Sequence, residues 1–178
     1  MTTQQIHTGS SMREVLDAYP GAQRALMRQY HIGGCSHCGF DPGDLLGDVL
    51  AKHNALNTDE VIEFIQTSHE QEQRLQISPG ELAALLKSDA APRLIDVRQP
   101  EEQAVVRIDG ALPYTQDLGQ EMMSGWPKDT PIVFHCHHGI RSLEAASYYI
   151  GHGFTNVRSL QGGIDAWAQE VDPSLPRY

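Results

Sequence analysis

The stretch PIVFHCHHGIRSLEAASYYIGHG, residues 131–153, decides how the second half of this 178-residue chain folds. It opens with an apolar run that predicts a buried strand ending at Cys136. After a short loop, the pattern from about Ser142 onward predicts a helix that stops at a glycine. The loop therefore joins the end of a strand to the start of a helix, which is where ligands bind in open α/β sheets.

The same alternation of strand and helix patterns continues through the second half of the chain. Apolar runs at 93–97 and 156–160 predict two more buried strands, and the patterns at 78–88 and 162–170 predict helices. Apolar strands that alternate with helices are typical of a mainly parallel sheet covered on both faces. We therefore predict an α/β fold for this half.

The first half of the chain predicts helices only. A capping box at Ser11 opens the first of them. Asp41 and Pro42 predict the start of another helix, because they are typical N-cap and first-turn residues. The change of pattern predicts two domains, a small all-α domain at 1–73 and the α/β domain at 74–178.

Charge and composition argue against several classes of protein. The chain has 13 basic and 23 acidic side chains, a formal net charge of −10, which disfavours nucleic acid or an anionic membrane as partner. No apolar run approaches the roughly 20 residues that span a bilayer, and the first residues lack the apolar segment of a secretory signal. Three cysteines, a small odd number, indicate a reducing compartment, so we expect a cytoplasmic protein.

The loop after the predicted central strand places Cys136 beside three sources of positive potential. Gly139 can take conformations that turn backbone N–H groups inward, and the dipole of the following helix adds to them. Arg141 contributes a full charge. Because each of these favours a thiolate over a thiol, Cys136 is the predicted nucleophile.

Other chemistries for this loop fit the residues less well. A metal site of His135, Cys136, His137 and His138 would need adjacent residues to converge on one ion, so no metal is predicted there. Cysteine phosphatases have one residue more between the cysteine and the arginine than the four that separate Cys136 from Arg141. This tighter loop suits a single sulfur atom held on the cysteine. A structural cysteine would not explain the flanking glycine, arginine and helix start.

Five motifs follow one another in order along the second half of the chain. They are LIDVR at 94–98, DGA at 109–111, CHHGIRS at 136–142, GF and NV within 153–157, and LQGGIDAW at 160–167. Together they resemble a rhodanese (sulfurtransferase) domain over residues 75–178. The resemblance implies the rhodanese-like sheet fold and a sulfurtransferase that needs no cofactor.

The resemblance also implies roles for individual residues. Cys136 carries the persulfide, Asp96 and Arg98 help to position the active loop (residues 136–141), and the glycines and tryptophan of the last motif are mainly structural. The residues expected to contact the substrate are His137, His138, Gly139, Ile140, Arg141 and Ser142. Where the family often has a histidine this chain has Arg107, which leaves the local packing there open.

His137 and His138 bear on the choice of sulfur donor. If unperturbed, both gain a positive charge as the pH falls past about 6.5. With Arg141 they would favour a small anionic donor such as thiosulfate, with a thiol or cyanide as acceptor. The alternative is that both histidines simply face solvent at the mouth of the site.

A second cysteine motif, GGCSHCG at 33–39, lies in the helical half. Residues 11–65 show a weaker resemblance to small helical domains of the DUF1858 type, which rests on Val15, Leu16, Tyr19, Pro20, Gly33, Gly34, Cys35 and Cys38. Four interpretations of the pair Cys35 and Cys38 are open: a redox dithiol, an acceptor of sulfur from Cys136, half of a metal site, or two thiols without a function.

The sequence thus predicts a sulfurtransferase in which a small helical domain precedes a rhodanese domain. Its predicted partners are a small anionic sulfur donor and a thiol acceptor, either a small molecule or a protein. The alternative is a module that carries a persulfide without turnover, or that senses redox state or sulfur through Cys35 and Cys38.

Overall fold

The computed structural model describes residues 6–33, 39–53 and 57–178, so Cys35 and Cys38 lie outside the described residues. The chain divides into two compact units, Met1–Arg74 and Leu75–Tyr178. Among the helices of the described residues, none combines the length and the apolar character needed to cross a membrane.

The first unit has four helices in its described residues. They are α1 (Met12–Ala18), α2 (Ala22–Tyr30), α3 (Leu46–Lys52) and α4 (Thr58–Arg74). The predicted capping box is present: the Glu14 N–H donates to the Ser11 hydroxyl at 3.3 Å, and the Ser11 N–H donates to the Glu14 carboxylate at 2.7 Å. The core of this unit is one buried apolar cluster, which includes Val15 of α1 and Ile65 of α4.

The helix that the sequence places at Asp41 starts later, at Leu46. Asp41 forms a turn instead, in which its carbonyl accepts from the Asp44 N–H at 3.0 Å. The Leu46 N–H donates to the Ser10 carbonyl at 2.8 Å, so a segment far away in sequence satisfies a donor at the start of the helix. An N-cap pattern cannot anticipate such a partner.

The second unit is a five-stranded sheet with five helices in its described residues. The strands are β1 (Gln76–Ile77), β2 (Arg93–Asp96), β3 (Leu112–Pro113), β4 (Ile132–His135) and β5 (Val157–Leu160). The helices are α5 (Pro79–Leu86), α6 (Pro100–Val105), α7 (Gln116–Gly125), α8 (Ile140–Gly151) and α9 (Gly163–Glu170). Neighbouring strands run parallel in the order β1-β5-β4-β2-β3, which puts β4 at the centre.

Helices cover both faces of this sheet. Successive side chains of a strand point to opposite faces, and the strand residues divide accordingly between two buried clusters. Leu94 and Val133 pack with residues of α5 and α9, whereas Ile95 and Phe134 pack with residues of α7 and α8. The predicted α/β fold, a parallel sheet between helices preceded by a helical region, is confirmed.

The parallel order brings the carboxyl ends of β2 and β4 to one edge of the sheet. Asp96 ends β2, His135 ends β4, and the two residues are direct register partners. Cys136 follows His135, and Arg98 follows Asp96 by two residues. The residues that the sequence assigns to catalysis and to loop support therefore meet at the same edge.

Candidate active site

Cys136 is the first residue after the central strand β4, and only 1% of its surface is exposed. α8 begins at Ile140, two residues before the predicted start, with Gly139 as its N-cap. The early start depends on Gly139, because its φ of +91° lies in the left-handed region that favours glycine. A Cβ at this position would also lie 3.2 Å from the Leu160 carbonyl oxygen.

Two hydrogen-bond donors lie against the Cys136 sulfur. The Gly139 N–H donates to Sγ at 3.1 Å, and the hydroxyl of Ser142, in the first turn of α8, lies 3.5 Å from Sγ. Both belong to the N-terminus of a helix, where the dipole adds positive potential. This end of α8 therefore stabilises negative charge on the sulfur.

A second hydroxyl lies behind Ser142. The Ser159 Oγ of β5 is 2.9 Å from the Ser142 Oγ, and both serines are buried. Ser159 was not among the site residues predicted from the sequence. Its signal is a polar residue inside the apolar run NVRSL.

The start of α9 holds the backbone of the active loop. The Ile164 N–H donates to the Cys136 carbonyl at 2.9 Å, and the Asp165 N–H donates to the His137 carbonyl at 3.1 Å. Gly163 permits this close approach, because a Cβ there would lie 2.3 Å from the His137 carbonyl oxygen. Gly163 of the last motif thus has a structural reason in the packing of α9 against the loop.

Asp96 and Arg98 form a buried ion pair at the same edge of the sheet. The Arg98 Nε and Nη2 donate to the two Asp96 carboxylate oxygens at 3.0 and 2.7 Å, and Nη2 also donates to the Val106 carbonyl at 2.7 Å. Burial opposes the charge of Arg98, but its hydrogen bonds to Asp96 and Tyr178 outweigh this, so its pKa is raised. His135, next to Asp96, and Tyr178, bonded to Arg98, connect this ion pair to the active loop.

His135 separates this ion pair from Cys136 and is fully buried. Its Nε2 lies 3.7 Å from an Asp96 carboxylate oxygen, and neither ring nitrogen has a hydrogen-bond partner in the described part of the chain. Burial lowers the pKa of His135 to about 4, with Asp96 opposing the shift and Arg98 adding to it. The imidazole is therefore neutral at pH 7. No group of three or more metal-ligating side chains occurs among the described residues.

Arg141 lies at the mouth of the site in an ion pair. Its guanidinium donates to both carboxylate oxygens of Glu102 on α6, at 2.6 and 2.7 Å. These bonds raise the pKa of Arg141, to which the Cys136 sulfur contributes less, and they lower the pKa of Glu102 to about 2. Glu102 thus neutralises much of the charge that the sequence assigns to Arg141. Glu102 was not among the site residues predicted from the sequence; its carboxylate also accepts from the Gln99 N–H at 3.0 Å.

Three aromatic rings lie against one another beside the loop. The His137 ring lies 4.0 Å from the His138 ring and 4.3 Å from the Tyr178 ring, measured between centroids. Partial burial lowers the pKa of His137, and the nearby His138 adds to the shift. The Arg98 Nη1 donates to the Tyr178 hydroxyl at 2.8 Å, so Tyr178 connects the buried ion pair to the loop. Ile140, in contrast, is half exposed.

Arg107 occupies the position where the family often has a histidine. Its Nε donates to the Gln103 carbonyl at 3.0 Å, and the side chain is exposed. Gln103 itself is buried and donates from Nε2 to the Arg98 carbonyl at 2.8 Å. The arginine is thus accommodated at the end of α6 by a bond to the backbone.

Comparison with family models finds a match in the second unit of the chain. The family model described as "Rhodanese-like domain" matches residues 78–170, more than half of the chain. The chain belongs to the rhodanese-like domain family. The resemblance seen in the five motifs is confirmed, whereas the resemblance of the helical half to DUF1858-type domains stays a prediction.

Curated relatives of this rhodanese-like domain have names that include sulfurtransferase. The probable adenylyltransferase/sulfurtransferase MoeZ of Mycobacterium tuberculosis is 39% identical over 104 residues, which are 57% of this chain and 26% of that protein. The chain thus spans about a quarter of that relative's length. Thiosulfate sulfurtransferase GlpE of Pseudomonas entomophila is 34% identical over 92 residues, 52% of this chain and 83% of the relative. The "Sulfurtransferase" of Allochromatium vinosum is 41% identical over 80 residues, 45% of this chain and 75% of the relative.

A solved structure shares the fold at low sequence identity. Reduced Bacillus anthracis CoADR-RHD aligns with a TM-score of 0.51 and 18% identity, over 93% of this chain and 27% of its own. At that identity the likeness shows the fold alone.

Proposed function

We propose that the chain is a sulfurtransferase that moves a sulfane sulfur from a small anionic donor to a thiol acceptor through a persulfide on Cys136. The observation that carries the proposal is the pair of donors at the sulfur, the Gly139 N–H at 3.1 Å and the Ser142 hydroxyl at 3.5 Å. Hydrogen bonds to a thiolate help it to exist at neutral pH and to leave when sulfur is passed on. The names of the relatives support the same class of reaction.

In the first half-reaction, the Cys136 thiolate attacks the sulfane sulfur of the donor. With thiosulfate, the S–S bond of the donor breaks, sulfite leaves with the bonding electron pair, and Cys136 is left with a persulfide anion. One S–S bond forms as another breaks, so the step needs no oxidant or reductant.

In the second half-reaction, the acceptor thiol gives its proton to the persulfide anion, and the resulting thiolate attacks the outer sulfur of the protonated persulfide. The S–S bond on Cys136 breaks, the acceptor leaves as a persulfide with that proton, and Cys136 returns as a thiolate. The Gly139 N–H and the Ser142 hydroxyl stabilise the leaving thiolate as its charge develops.

Attraction for an anionic donor rests chiefly on the backbone and the start of α8. The two arginines at this edge of the sheet, Arg98 and Arg141, are each paired with a carboxylate, from Asp96 and Glu102. Backbone N–H groups at a helix N-terminus bind anions without a side-chain charge. Thiosulfate, the donor in the name of the GlpE relative, is small enough to use such donors.

Mass spectrometry after incubation with thiosulfate tests the proposal. Peptide mapping of the wild-type protein should show one added sulfur atom on Cys136. Cys136→Ser should gain none at this position and should transfer no sulfur to cyanide, because a hydroxyl is a far weaker nucleophile than a thiolate. Sulfur transfer retained by folded Cys136→Ser would overturn the assignment.

The same assay separates an enzyme from a carrier that does not turn over. The burial of Cys136, at 1% exposure, is the observation that favours a carrier, because acceptors reach a buried sulfur slowly. An enzyme forms thiocyanate repeatedly while thiosulfate and cyanide are in excess. A carrier forms at most one equivalent for each chain.

A relay of sulfur to Cys35 and Cys38 is a separate proposal that rests on the sequence alone. Decay of the Cys136 persulfide would be followed in the wild type and in Cys35→Ser/Cys38→Ser, at low protein concentration so that exchange between molecules is slow. Faster decay in the wild type supports the relay, and identical decay dismisses it. Metal analysis of protein purified without chelator then tests the metal-site alternative.

A further inference from the structure

We propose that Ser159 is a positioning residue for sulfur transfer, and that it acts on the Cys136 sulfur through Ser142. This inference rests on the proposed function for its chemistry. Its test measures the Cys136 thiol directly, so the two can fail separately. Neither the motifs nor the relatives' names point to Ser159.

The three side chains form a continuous buried chain from β5 to the active loop. The Ser159 Oγ lies 2.9 Å from the Ser142 Oγ, which lies 3.5 Å from the Cys136 Sγ. Ser142 is completely buried, and Ser159 and Cys136 are each 1% exposed. Water therefore does not compete for these hydroxyl groups in the folded structure, and each bond acts in surroundings of low polarity.

The chemistry of the thiolate fixes the direction of both hydrogen bonds. A thiolate has no proton and can only accept, so Ser142 must use its single proton to donate to Sγ. The bond between the two serines then needs a proton from Ser159, which donates to the Ser142 oxygen. Each hydroxyl in such a chain polarises the next, which makes Ser142 a stronger donor to the sulfur.

Ser159 also limits what the Ser142 hydroxyl can do otherwise. A serine in a helix commonly turns its hydroxyl to a backbone carbonyl three or four residues earlier. A donor fixed on β5 occupies one lone pair of Ser142 and favours the rotamer that directs its proton to Sγ. Removing the Ser159 hydroxyl frees Ser142 to leave the sulfur for part of the time.

The effect should appear in whichever step makes or uses the thiolate. When an acceptor takes the outer sulfur, the electron pair of the broken S–S bond stays on Cys136 Sγ. A weaker donor at Ser142 makes this sulfur a poorer leaving group, so discharge of the persulfide slows. The thiolate of the resting protein also becomes less stable, so alkylation of Cys136 requires a higher pH.

The other charged and titratable groups near the sulfur stay the same in the variants compared. The Cys136 sulfur contributes to the raised pKa of Arg141 on α8, so this charge is one that acts on the sulfur. The other charged and titratable residues described above around the active loop are Asp96, Arg98, Glu102, His135, His137, His138, Asp165 and Tyr178. A difference between serine variants is therefore a difference in hydroxyl donors at an unchanged set of charges.

The experiment measures the pH midpoint of Cys136 alkylation by iodoacetamide, read by peptide mass, in a double-mutant cycle. Ser142→Ala should raise the midpoint by about 1 pH unit, since a hydrogen bond to a charged group is lost. Ser159→Ala should raise it by about 0.3 unit and slow persulfide discharge about twofold, because the remaining donor is weakened and not removed. Ser142→Ala/Ser159→Ala should match Ser142→Ala alone.

Two comparison variants make the result specific. Ser159→Thr retains the hydroxyl and should restore the wild-type midpoint. Ser124→Ala removes a hydroxyl of α7 that donates to the Gln120 carbonyl at 2.7 Å, and it should leave the midpoint unchanged. Two results would overturn the proposal. One is an alkylation midpoint of Ser159→Ala equal to that of the wild type. The other is a midpoint shift by Ser159→Ala that is as large in the Ser142→Ala background as in the wild type. The second result would mean that Ser159 acts through packing.

Discussion

The two sides of the active loop differ in burial, and the difference separates positioning from recognition. The floor is the buried set, which consists of Asp96, Arg98, His135, Ser142 and Ser159. The rim is the set that reaches solvent, which consists of Glu102, His137, His138, Arg141 and Tyr178. Cys136 lies between them, with the Ser142 hydroxyl of the floor at its sulfur and rim side chains around its loop.

Each region contains one arginine–carboxylate pair, and the contrast between the two pairs is instructive. In the floor, the Arg98 and Asp96 side chains are 0% and 3% exposed; in the rim, those of Arg141 and Glu102 are 42% and 22% exposed. Breaking a buried pair leaves a charge that cannot reach water, whereas an exposed charge is resolvated and screened. We therefore expect floor changes to affect folding and rim changes to affect the donor.

The largest effect should come from Asp96→Asn, which breaks the floor pair. Arg98 keeps its charge but loses its counter-charge in the interior, so the free energy of unfolding should fall by about 3–5 kcal/mol. Urea unfolding at pH 7 measures the loss. Glu102→Gln makes the same chemical change in the rim and should cost less than about 1 kcal/mol. Equal losses in the two variants would contradict the distinction between floor and rim.

The next effect is a loss of stability in acid that His135 causes. Its pKa of about 4 in the folded protein lies below the ordinary value of 6.5, because burial disfavours the charged ring. Between these values the unfolded chain binds a proton that the folded protein does not. Stability should therefore fall as the pH drops from about 6.5 to about 4, by an amount on the order of 3 kcal/mol.

His135→Phe isolates this contribution, because phenylalanine fills a similar space and does not titrate. Urea unfolding from pH 4 to pH 7 should show a flatter dependence in the variant than in the wild type. Parallel curves would mean that His135 gains a proton in the folded protein, and that water or Asp96 reaches its ring.

Local patterns were enough to predict the strand that ends just before Cys136 and the helix that follows it. The positions of Cys136 and Gly139 could be predicted because they depend on immediate neighbours, a strand end and a helix start. Between residues 99 and 131, by contrast, the patterns predicted no element, although α6, β3 and α7 lie there. α6 has only six residues, and its capping box begins with Gln99, not with serine or threonine.

The partners of the site residues could not be predicted, because they depend on the order of the strands. Glu102 is 39 residues from Arg141 along the chain, and Ser159 is 17 residues from Ser142. A carboxylate after β2 reaches a loop after β4 only because β2 and β4 are neighbours. The sequence names the charged residue, and the tertiary fold determines whether that charge is free or paired.

A smaller effect should follow from removing the carboxylate that pairs with Arg141 in the rim. Glu102→Gln leaves Arg141 without its carboxylate, so the kcat/KM for thiosulfate should rise about threefold at low ionic strength, and less in high salt. Arg141→Ala should lower it. Because the pKa of Glu102 is about 2, the carboxylate is ionised throughout the range from pH 5 to pH 8, and the ratio should not change with pH.

Glu121→Gln is the matched control, since it removes an equal charge from an exposed carboxylate on α7 that accepts from the Trp126 Nε1 at 3.0 Å. It should leave the kcat/KM for thiosulfate within error of the wild type. If it matches Glu102→Gln instead, the overall charge of the protein governs attraction, and pairing with Arg141 does not.

The smallest effect is expected for Tyr178→Phe, which tests how far the rim depends on the floor. The variant keeps the ring that stacks on His137 and removes only the hydroxyl, which accepts from Arg98 at 2.8 Å and donates to Glu102 at 3.4 Å. Arg98 retains both bonds to Asp96, so the stability loss should stay below about 1 kcal/mol. Because the rim loses one of its links to the floor, alkylation of Cys136 at fixed pH should quicken by about twofold. Tyr178→Ala, which also removes the stack, should quicken it further. A stability loss as large as that of Asp96→Asn would mean that Tyr178 is needed to hold the buried guanidinium and belongs to the floor.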